Sequence, residues 1–363
     1  MPEGQRAPRR RRRLRREIRW TITAFVLLFV ILYLLVPEVA GARKSLNDLT
    51  QVNIAYLILG FVLEGASLAA YAQLTYTVLP AGGPNRWRLF RINTSTLAVS
   101  HVVPGGTAPG TGLAYRLLGD AGVQGADAAF GLAIQGAGSA VVLNLIFWLA
   151  LVVSIFFHGY NALYGIAAGV GVLLLGSFGG VVILLLRGRH RAVDVVRRLA
   201  DRMPFLRGDA LATGVERIAD RLRALLEERA LLRRAVGWAA ANWLLDAASL
   251  WVFIVAFHKV VSPIDLLVAY GLANVLAVIP ITPGGLGIVE GVLIPTLHGF
   301  GVAKPVAALG VLSYRLVNFW LPIPAGGATY LSLRFSTDTG WRQRLAVAHA
   351  EVSTHPSNHT PPG

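Results

Sequence analysis

Residues 279–291, which read IPITPGGLGIVEG, constrain most strongly what this chain can fold into. The segment lies in an apolar region, yet it holds two prolines, four glycines and one carboxylate, that of Glu290. Proline removes a backbone hydrogen-bond donor and glycine weakens a helix interior, so a continuous membrane helix is not expected here. Irregular backbone at membrane depth is tolerated only where protein or a water-filled cavity covers it. The segment therefore predicts a broken helix beside a functional site.

A second break lies upstream, and the two breaks belong to an internal repeat. Adding 179 to a residue number maps the first break onto the second, and this ungapped register gives ten identities in the 28 positions 104–131. Further upstream, an offset of 182 places Glu64 at the position of Asp246. Interrupted segments at corresponding places in two halves are typical of transporter binding sites. The residues of the two breaks are Pro104, Gly105, Gly106, Pro283, Gly284 and Gly285.

The composition indicates a membrane protein. Hydrophobic residues make up 55% of the chain and charged residues 15%, and several apolar runs reach the roughly 20 residues that a spanning helix needs. The net charge of +15 comes almost wholly from arginines that cluster beside these runs, which favours anionic lipid headgroups and cytoplasmic loops. A nucleic-acid partner is not expected, because no aromatic-basic binding motif accompanies the charge. The lack of cysteine excludes disulfides, iron–sulfur clusters and cysteine-ligated zinc.

The apolar runs predict a membrane domain over residues 20–335 with about six spans. Residues 1–19, with nine arginines, form a basic cytoplasmic arm, and residues 336–363 form a disordered polar tail. The first run is too long for a cleaved signal peptide, so we interpret it as an uncleaved anchor. Both termini are then cytoplasmic, and the protein is a multi-pass protein of the plasma membrane. The predicted spans are 20–36, 52–79, 127–157, 162–186, 235–257 and 305–333.

The segments around each break predict re-entrant hairpins. The apolar arms 92–103 and 107–118 have about 12 residues each, too few to cross, so this hairpin enters and leaves on the cytoplasmic side. The second hairpin, 264–298, enters from outside, although its first arm is long enough for a full crossing. The fold class is therefore an all-α polytopic membrane protein with two re-entrant helical hairpins in an inverted internal repeat, and such repeats place a polar site near the midplane.

The two repeats, about 52–157 and 235–333, are joined by a span and by a basic cytoplasmic linker, 187–234. The linker holds thirteen arginines and seven acids. Its apolar residues recur at helical spacing, which is typical of amphipathic helices on the inner leaflet. A solvated connector is the alternative.

Five charged residues are candidates for substrate or lipid binding. A carboxylate within a membrane segment normally faces a cavity or a partner, so Glu290 is either a proton or cationic-headgroup site, or a structural ion pair with Arg315. Arg315 and Arg116 can bind a lipid phosphate through paired guanidinium contacts, and Arg116 has inner-surface anchoring as its alternative. Glu64 and Asp246 either meet substrate or accept hydrogen bonds from the hairpin backbone. No metal or cofactor site is predicted, because no His/Asp/Glu cluster accompanies these residues.

The two breaks, the PGGLGIVEG segment followed by Gly301-Val302, and Tyr314-Arg315 resemble the lysylphosphatidylglycerol synthase transmembrane-region family. The resemblance covers roughly residues 15–335. This family includes the flippase half of the bacterial multiple peptide resistance factor. It implies a plasma-membrane protein that moves phospholipids, including aminoacylated phosphatidylglycerol, between leaflets. Full-length relatives carry a soluble synthase domain after the membrane region, whereas the 28 residues after Phe335 are too few for a catalytic domain.

We therefore expect a lipid translocase without an enzymatic activity or cofactor of its own. The sequence holds no nucleotide-binding glycine loop after a strand, no zinc spacing and no nucleophile elbow. Its partners are phospholipids, anionic or aminoacylated; a homo-oligomer and a separate lipid-modifying enzyme stay open. Two alternatives also stay open: a membrane-embedded transferase acting on a lipid-linked substrate, and a non-transporting scaffold that binds lipid or partners through the 187–234 linker.

Overall fold

The computed structural model describes residues 53–103, 107–158, 162–187, 216, 219–220, 222–277 and 282–335. These residues are mainly helical, and none of them forms a β-strand. The basic arm, the predicted span 20–36, the first break at 104–106, much of the linker and the polar tail lie outside the described residues.

Eleven helices are numbered here along the described chain. In the first half, α1 is Ile54–Val78, α2 Arg86–Val102, α3 Ala108–Asp120, α4 Gly125–Ala133 and α5 Ser139–His158. A long connecting helix, α6, covers Ala162–Arg187. In the second half, α7 is Arg229–Val255, α8 Pro263–Ala277, α9 Ile288–Gly299, α10 Lys304–Arg315 and α11 residues 322–335.

Four helices are long and apolar enough to cross a membrane. They match in position four of the six predicted spans, and α6 forms a 26-residue helix where a fifth is predicted but is not among the four. Their outward residues are apolar: Phe61 of α1 is 52% exposed and Phe156 of α5 is 90% exposed, as lipid contact requires. The four helices are Ile54–Val78, Gly125–Phe157, Arg229–Val255 and Lys304–Phe335.

The helices α1 and α7 pack against each other in an antiparallel manner over their length. Gly60 permits this approach, because a Cβ atom there would lie 2.7 Å from the ring of Phe253. Hydrogen bonds join the helices at three places spaced seven residues apart, so the bonded positions lie on one face of each helix. They run from the Asn53 N–H to the Ala256 carbonyl (3.3 Å), from Ser249 Oγ to the Gly60 carbonyl (2.9 Å) and from Ser67 Oγ to the Asn242 carbonyl (3.0 Å).

Two of these bonds are related by the repeat. The offset of 182 maps Ser67 onto Ser249 and Gly60 onto Asn242. Ser67 donates to the Asn242 carbonyl and Ser249 donates to the Gly60 carbonyl, so the two bonds are equivalent with the two helices exchanged. Such an exchange of contacts is what a local two-fold axis produces. Such an axis would pass midway between the bonded positions, beside Glu64 on α1 and Asp246 on α7.

The segments around the breaks are short helices. In the first half α2 and α3 have 17 and 13 residues, and in the second half α8 and α9 have 15 and 12. Each is shorter than the roughly 20 residues that a perpendicular crossing needs. Within each half the two short helices pack against each other. The helix that follows them starts at Gly125 in one half and at Lys304 in the other, which is the 179-residue offset of the sequence repeat.

A single π-helical turn interrupts the long helix that closes each half. It lies at Ile134–Gly138 between α4 and α5, and at Leu316–Trp320 between α10 and α11. A π turn widens the helix locally and rotates the residues after it, and such turns are frequent at functional sites. In the second half, this turn lies directly after Arg315.

Candidate functional site

The second break is a short turn built on left-handed glycines. Pro283–Gly285 forms a 3-10 turn, and Gly284, Gly285 and Gly287 have φ angles of 56°, 68° and 83°. This backbone region is readily available only to glycine. At Gly284 there is also no room for a side chain, since a Cβ atom would lie 2.4 Å from a carbon of the Phe319 ring. The described chain thus makes a non-helical turn at these glycines directly before α9.

Glu290 and Arg315 hold the break in place. Glu290 lies in the first turn of α9, where its Oε2 accepts a hydrogen bond from the Gly287 N–H (2.7 Å). Its Oε1 accepts one from Arg315 Nε (2.5 Å). The Arg315 side chain is 6% exposed, donates also to the Gly284 carbonyl (3.3 Å) and lies 4.6 Å from the centre of the Phe319 ring. The end of α10 is therefore tied to both sides of the broken segment.

His101 brings the end of α2 to the same place. It lies near the end of α2, three residues before the first break. Its ring stacks on Phe319 with the ring centres 4.4 Å apart, and its Nδ1 lies 3.0 Å from the Phe319 carbonyl. A Cβ atom on Gly284 would lie 3.0 Å from this ring. The end of α2 thus contacts the second break directly.

A second polar cluster lies at the α1–α7 contact. Glu64 and Asp246 are 3% and 6% exposed, and Asn318 Nδ2 donates to both, to Glu64 Oε1 (3.0 Å) and Asp246 Oδ1 (3.1 Å). Asp246 also accepts from the Tyr270 hydroxyl (2.5 Å) and the Tyr314 hydroxyl (2.9 Å). Glu64 Oε2 is buried and has no hydrogen-bond partner among the described residues. The prediction that pairs Glu64 with Asp246 by sequence offset thus corresponds to a shared contact in space.

The end of α10 and the π turn after it connect the two clusters. Tyr314 and Asn318 bind the carboxyl groups, whereas Arg315 and Phe319 contact the break. Residues of adjacent number thus contact different clusters. A change in the π turn at Leu316–Trp320 would move both sets of side chains together.

The ion pair at the second break has no counterpart in the first half. At the 179-residue offset, the positions of Glu290 and Arg315 correspond to Thr111 and Gly136, which carry no charge. Arg116 lies exposed on α3 and takes no part in the hydrogen bonds of either cluster. The predicted set is therefore brought together as two pairs, Glu290 with Arg315 and Glu64 with Asp246, while Arg116 stands apart and its role stays a prediction.

Sequence reasoning missed the aromatic members of the site. Tyr270, Tyr314, Phe319 and His101 are not among the predicted binding residues, and neither is Asn318. A usable signal was present, because Tyr314, Arg315 and Asn318 stand three and four positions apart on one helix, near the predicted carboxylate partner. Within the described ranges, no three His, Cys, Asp or Glu side chains are arranged to hold a metal ion.

Comparison with known sequences gives a family match over most of the chain. The sequence model of the family described as "Lysylphosphatidylglycerol synthase TM region" matches residues 20–326. A "UPF0104 membrane protein" of Methanothermobacter thermautotrophicus is 25% identical over 183 residues, which is 50% of this chain and 47% of that protein. A second protein of the same name and organism is 21% identical over 309 residues, 80% of this chain and 87% of its own length.

A third relative has an enzyme name. "Glycosyltransferase AglD" of Haloferax volcanii is 27% identical over 193 residues, which is 51% of this chain but 30% of that protein. The matched part thus spans less than half of the first UPF0104 relative and less than a third of AglD.

Proposed function

Because the chain belongs to the lysylphosphatidylglycerol synthase TM-region family, we propose that this multi-pass membrane protein is a lipid translocase. It moves the headgroup of a phospholipid or a modified phospholipid between the leaflets, past the polar residues that lie between its two broken segments. In this proposal it resides in the plasma membrane with both termini in the cytoplasm. It translocates lipid without a catalytic step or a cofactor of its own.

The observation that carries the proposal is the exchange of hydrogen bonds between α1 and α7. Both helices are long and apolar enough to span a membrane, and they are antiparallel. A two-fold axis that relates two antiparallel helices is perpendicular to them, so it lies in the membrane plane if they cross the bilayer. This supports an inverted repeat, in which each half inserts with the opposite orientation. Transporters built in this way place their substrate site near the midplane.

The polar groups beside this axis support a headgroup path. Charged residues inside a membrane protein are costly and normally face a partner, a cavity or a substrate. Here Arg315 and Glu290 lie at the glycine turn that separates α8 from α9, next to the end of α2. The Arg315 guanidinium suits a lipid phosphate, and the Glu290 carboxylate suits a cationic group such as the amine of an aminoacylated lipid. In the translocating state, the two groups exchange their mutual ion pair for these two parts of one zwitterionic headgroup.

Lipid exchange in proteoliposomes tests the proposal. Vesicles containing the purified full-length chain and a fluorescent phosphatidylglycerol are treated with an impermeant quencher, so that inner-leaflet lipid is lost only if it is exchanged. We expect protein-dependent loss of inner-leaflet fluorescence, and we expect Glu290→Gln and Arg315→Ala to abolish it. Arg229→Ala serves as the matched control, because Arg229 is exposed at the start of α7 and away from both clusters.

Two results would contradict the proposed site or function. Exchange at the wild-type rate in both variants, with correct folding, would exclude Glu290 and Arg315 as the site. No exchange by the wild-type protein with any tested lipid would contradict translocation itself. Aminoacylated phosphatidylglycerol belongs in the panel, since the cationic amine is the group that the Glu290 carboxylate would select.

A membrane-embedded transferase acting on a lipid-linked substrate is the second candidate. It is favoured by the partial match to the relative named glycosyltransferase, although that match covers 30% of the relative. The purified protein would then form product from a labelled sugar or aminoacyl donor and a lipid acceptor. Product formation that is lost in Asp246→Asn would favour this function, whereas lipid exchange without any product would favour the translocase.

A further inference from the structure

The two carboxyl groups at the α1–α7 contact are unequally supplied with hydrogen-bond donors. Asp246 accepts from Tyr270, Tyr314 and Asn318, so both of its oxygens are occupied. Glu64 accepts from Asn318 alone, through Oε1, and its Oε2 is buried without a hydrogen-bond partner in the described part of the chain. A buried polar atom without a partner requires an explanation, because its desolvation is not compensated.

No bonded cation compensates the pair among the described residues. The groups that donate to the pair are Tyr270 on α8, Tyr314 on α10 and Asn318 in the π turn. The Arg315 guanidinium donates to Glu290 and to the Gly284 carbonyl instead. Two ionised carboxylates in a buried site without a bonded cation repel each other and lose their hydration.

We propose that the Glu64–Asp246 pair is a proton-binding site, in which Oε2 of Glu64 carries the proton and Asp246 is the anion. We place the proton on Glu64 because the two carboxyl groups accept from unequal numbers of hydrogen-bond donors. Three donors stabilise the charge on Asp246, whereas a proton on Glu64 Oε2 converts the unpartnered acceptor into a donor directed toward the neighbouring carboxylate. A metal cation is disfavoured as the occupant, because the Asn318 amide and both tyrosine hydroxyls already direct hydrogens at these oxygens.

The proton also controls the contact that pins the break, a step that rests on the proposed translocation. When the proton passes from Glu64 to water, the pair gains one negative charge and attracts Arg315, whose sequence neighbour Tyr314 already binds Asp246. Movement of Arg315 toward the carboxyls removes it from Glu290 and from the Gly284 carbonyl. The glycine turn is then released, and Glu290 becomes available to a headgroup. Proton release and opening of the break are thereby coupled.

Infrared spectroscopy of the purified full-length protein tests the proton site without any transport assay. A protonated carboxyl gives a carbonyl band distinct from that of a carboxylate, and the band shifts in heavy water. At neutral pH, we expect this band in the wild type and in Glu290→Gln, and its loss in Glu64→Gln, so that the wild-type minus Glu64→Gln difference spectrum contains it. A wild-type protein without the band, or a Glu64→Gln variant that retains it in full, would overturn the assignment.

The pH dependence of lipid exchange tests the coupling. We expect the wild-type exchange rate to change several-fold across the titration of the pair, and Glu64→Gln, which imitates the protonated side chain, to give a rate independent of pH. Parallel pH profiles for the two proteins would reject the coupling while leaving translocation in place. If neither protein exchanges lipid at any pH, translocation and the coupling that rests on it both fail, and the infrared difference still decides whether Glu64 holds a proton.

Discussion

Glu64 and Asp246 occupy equivalent positions on two antiparallel helices and share the side-chain amide of Asn318, which lies 3.0 Å from one carboxyl and 3.1 Å from the other. They are 182 residues apart in the chain, and the same offset relates the two serine hydrogen bonds that flank them. The contact of the acids therefore follows from the symmetry of the helix pair. It places two titratable groups next to the helix end that also holds the break through Arg315.

Labelling of single cysteines checks whether the two halves are inverted in the membrane. The loop after α1 and the loop after α7 lie at opposite ends of the antiparallel pair, so Ala81→Cys and Lys259→Cys should react with an impermeant maleimide from opposite sides of the membrane. Both positions are exposed, and the natural chain contains no cysteine that would interfere. Reaction of both positions from the same side would contradict the inverted arrangement.

The pairing of α1 with α7 predicts a specific disulfide. Ser67 Oγ lies 3.0 Å from the Asn242 carbonyl, so Ser67→Cys combined with Asn242→Cys should form an internal disulfide on mild oxidation. The control is Ser67→Cys combined with Ser249→Cys. These positions are equivalent in the repeat but lie about 10 Å apart along the helix pair, at 1.5 Å rise per residue, so they should not cross-link. Gel mobility with and without reductant measures both, and efficient linkage of the control pair alone would indicate a different register.

The ion pair between Glu290 and Arg315 should contribute measurably to stability. Replacing Arg315 by Met leaves the Glu290 carboxylate without its cation, and we expect a loss of about 2–4 kcal/mol, somewhat below a fully buried pair because the Glu290 side chain is 14% exposed. Thermal unfolding in detergent of Arg315→Met, Glu290→Gln and the double variant forms a mutant cycle. We expect a coupling free energy of about 1–3 kcal/mol between the two substitutions, and strict additivity would show that they do not interact in solution.

Alanine substitutions in the glycine turn and inside α9 should have opposite effects on stability. Gly284→Ala places a Cβ atom 2.4 Å from the Phe319 ring at a φ of 56°, so we expect a loss of about 2–4 kcal/mol from strain and crowding. Gly291→Ala adds a Cβ atom inside α9 with no atom within 4 Å, so we expect a gain of about 0.5–1 kcal/mol. Unfolding temperatures of the two variants against the wild type give the comparison. Equal stability of both variants would mean that the turn adopts another conformation.

Much of the architecture is predictable because the constraints are local. The glycines of the second break indicate a turn from composition alone, and the apolar runs predict the ends of the four long helices to within six residues. The pairing of Glu64 with Asp246 is predictable only because the repeat carries it in sequence. The repeat indicates that the two positions are equivalent. Their contact depends on the antiparallel packing of α1 on α7, which no local sequence pattern encodes.

The missed residues have a common physical reason. An aromatic residue in an apolar helix, such as Tyr270 or Phe319, normally packs in a core. Its sequence context therefore does not distinguish a side chain that contacts a polar site from one that only fills space. The π turn has no local sequence signature either, yet it sets which side chains after Arg315 face the carboxyls. The role of Arg116 stays a prediction: its place near the first break makes it a candidate, and α3 presents it to the surface.

The two-fold relation between α1 and α7 has a consequence for the origin of the acid pair. In an antiparallel homodimer of a single-repeat ancestor, a residue beside the axis meets its own copy, so one substitution installs two facing acids at once. Fusion of two such copies would free them to diverge, which would account for a glutamate in one half and an aspartate in the other, with different hydrogen-bond donors. Charges away from the axis, like the arginine and glutamate at the glycine turn, carry no such twin and can arise in one copy only.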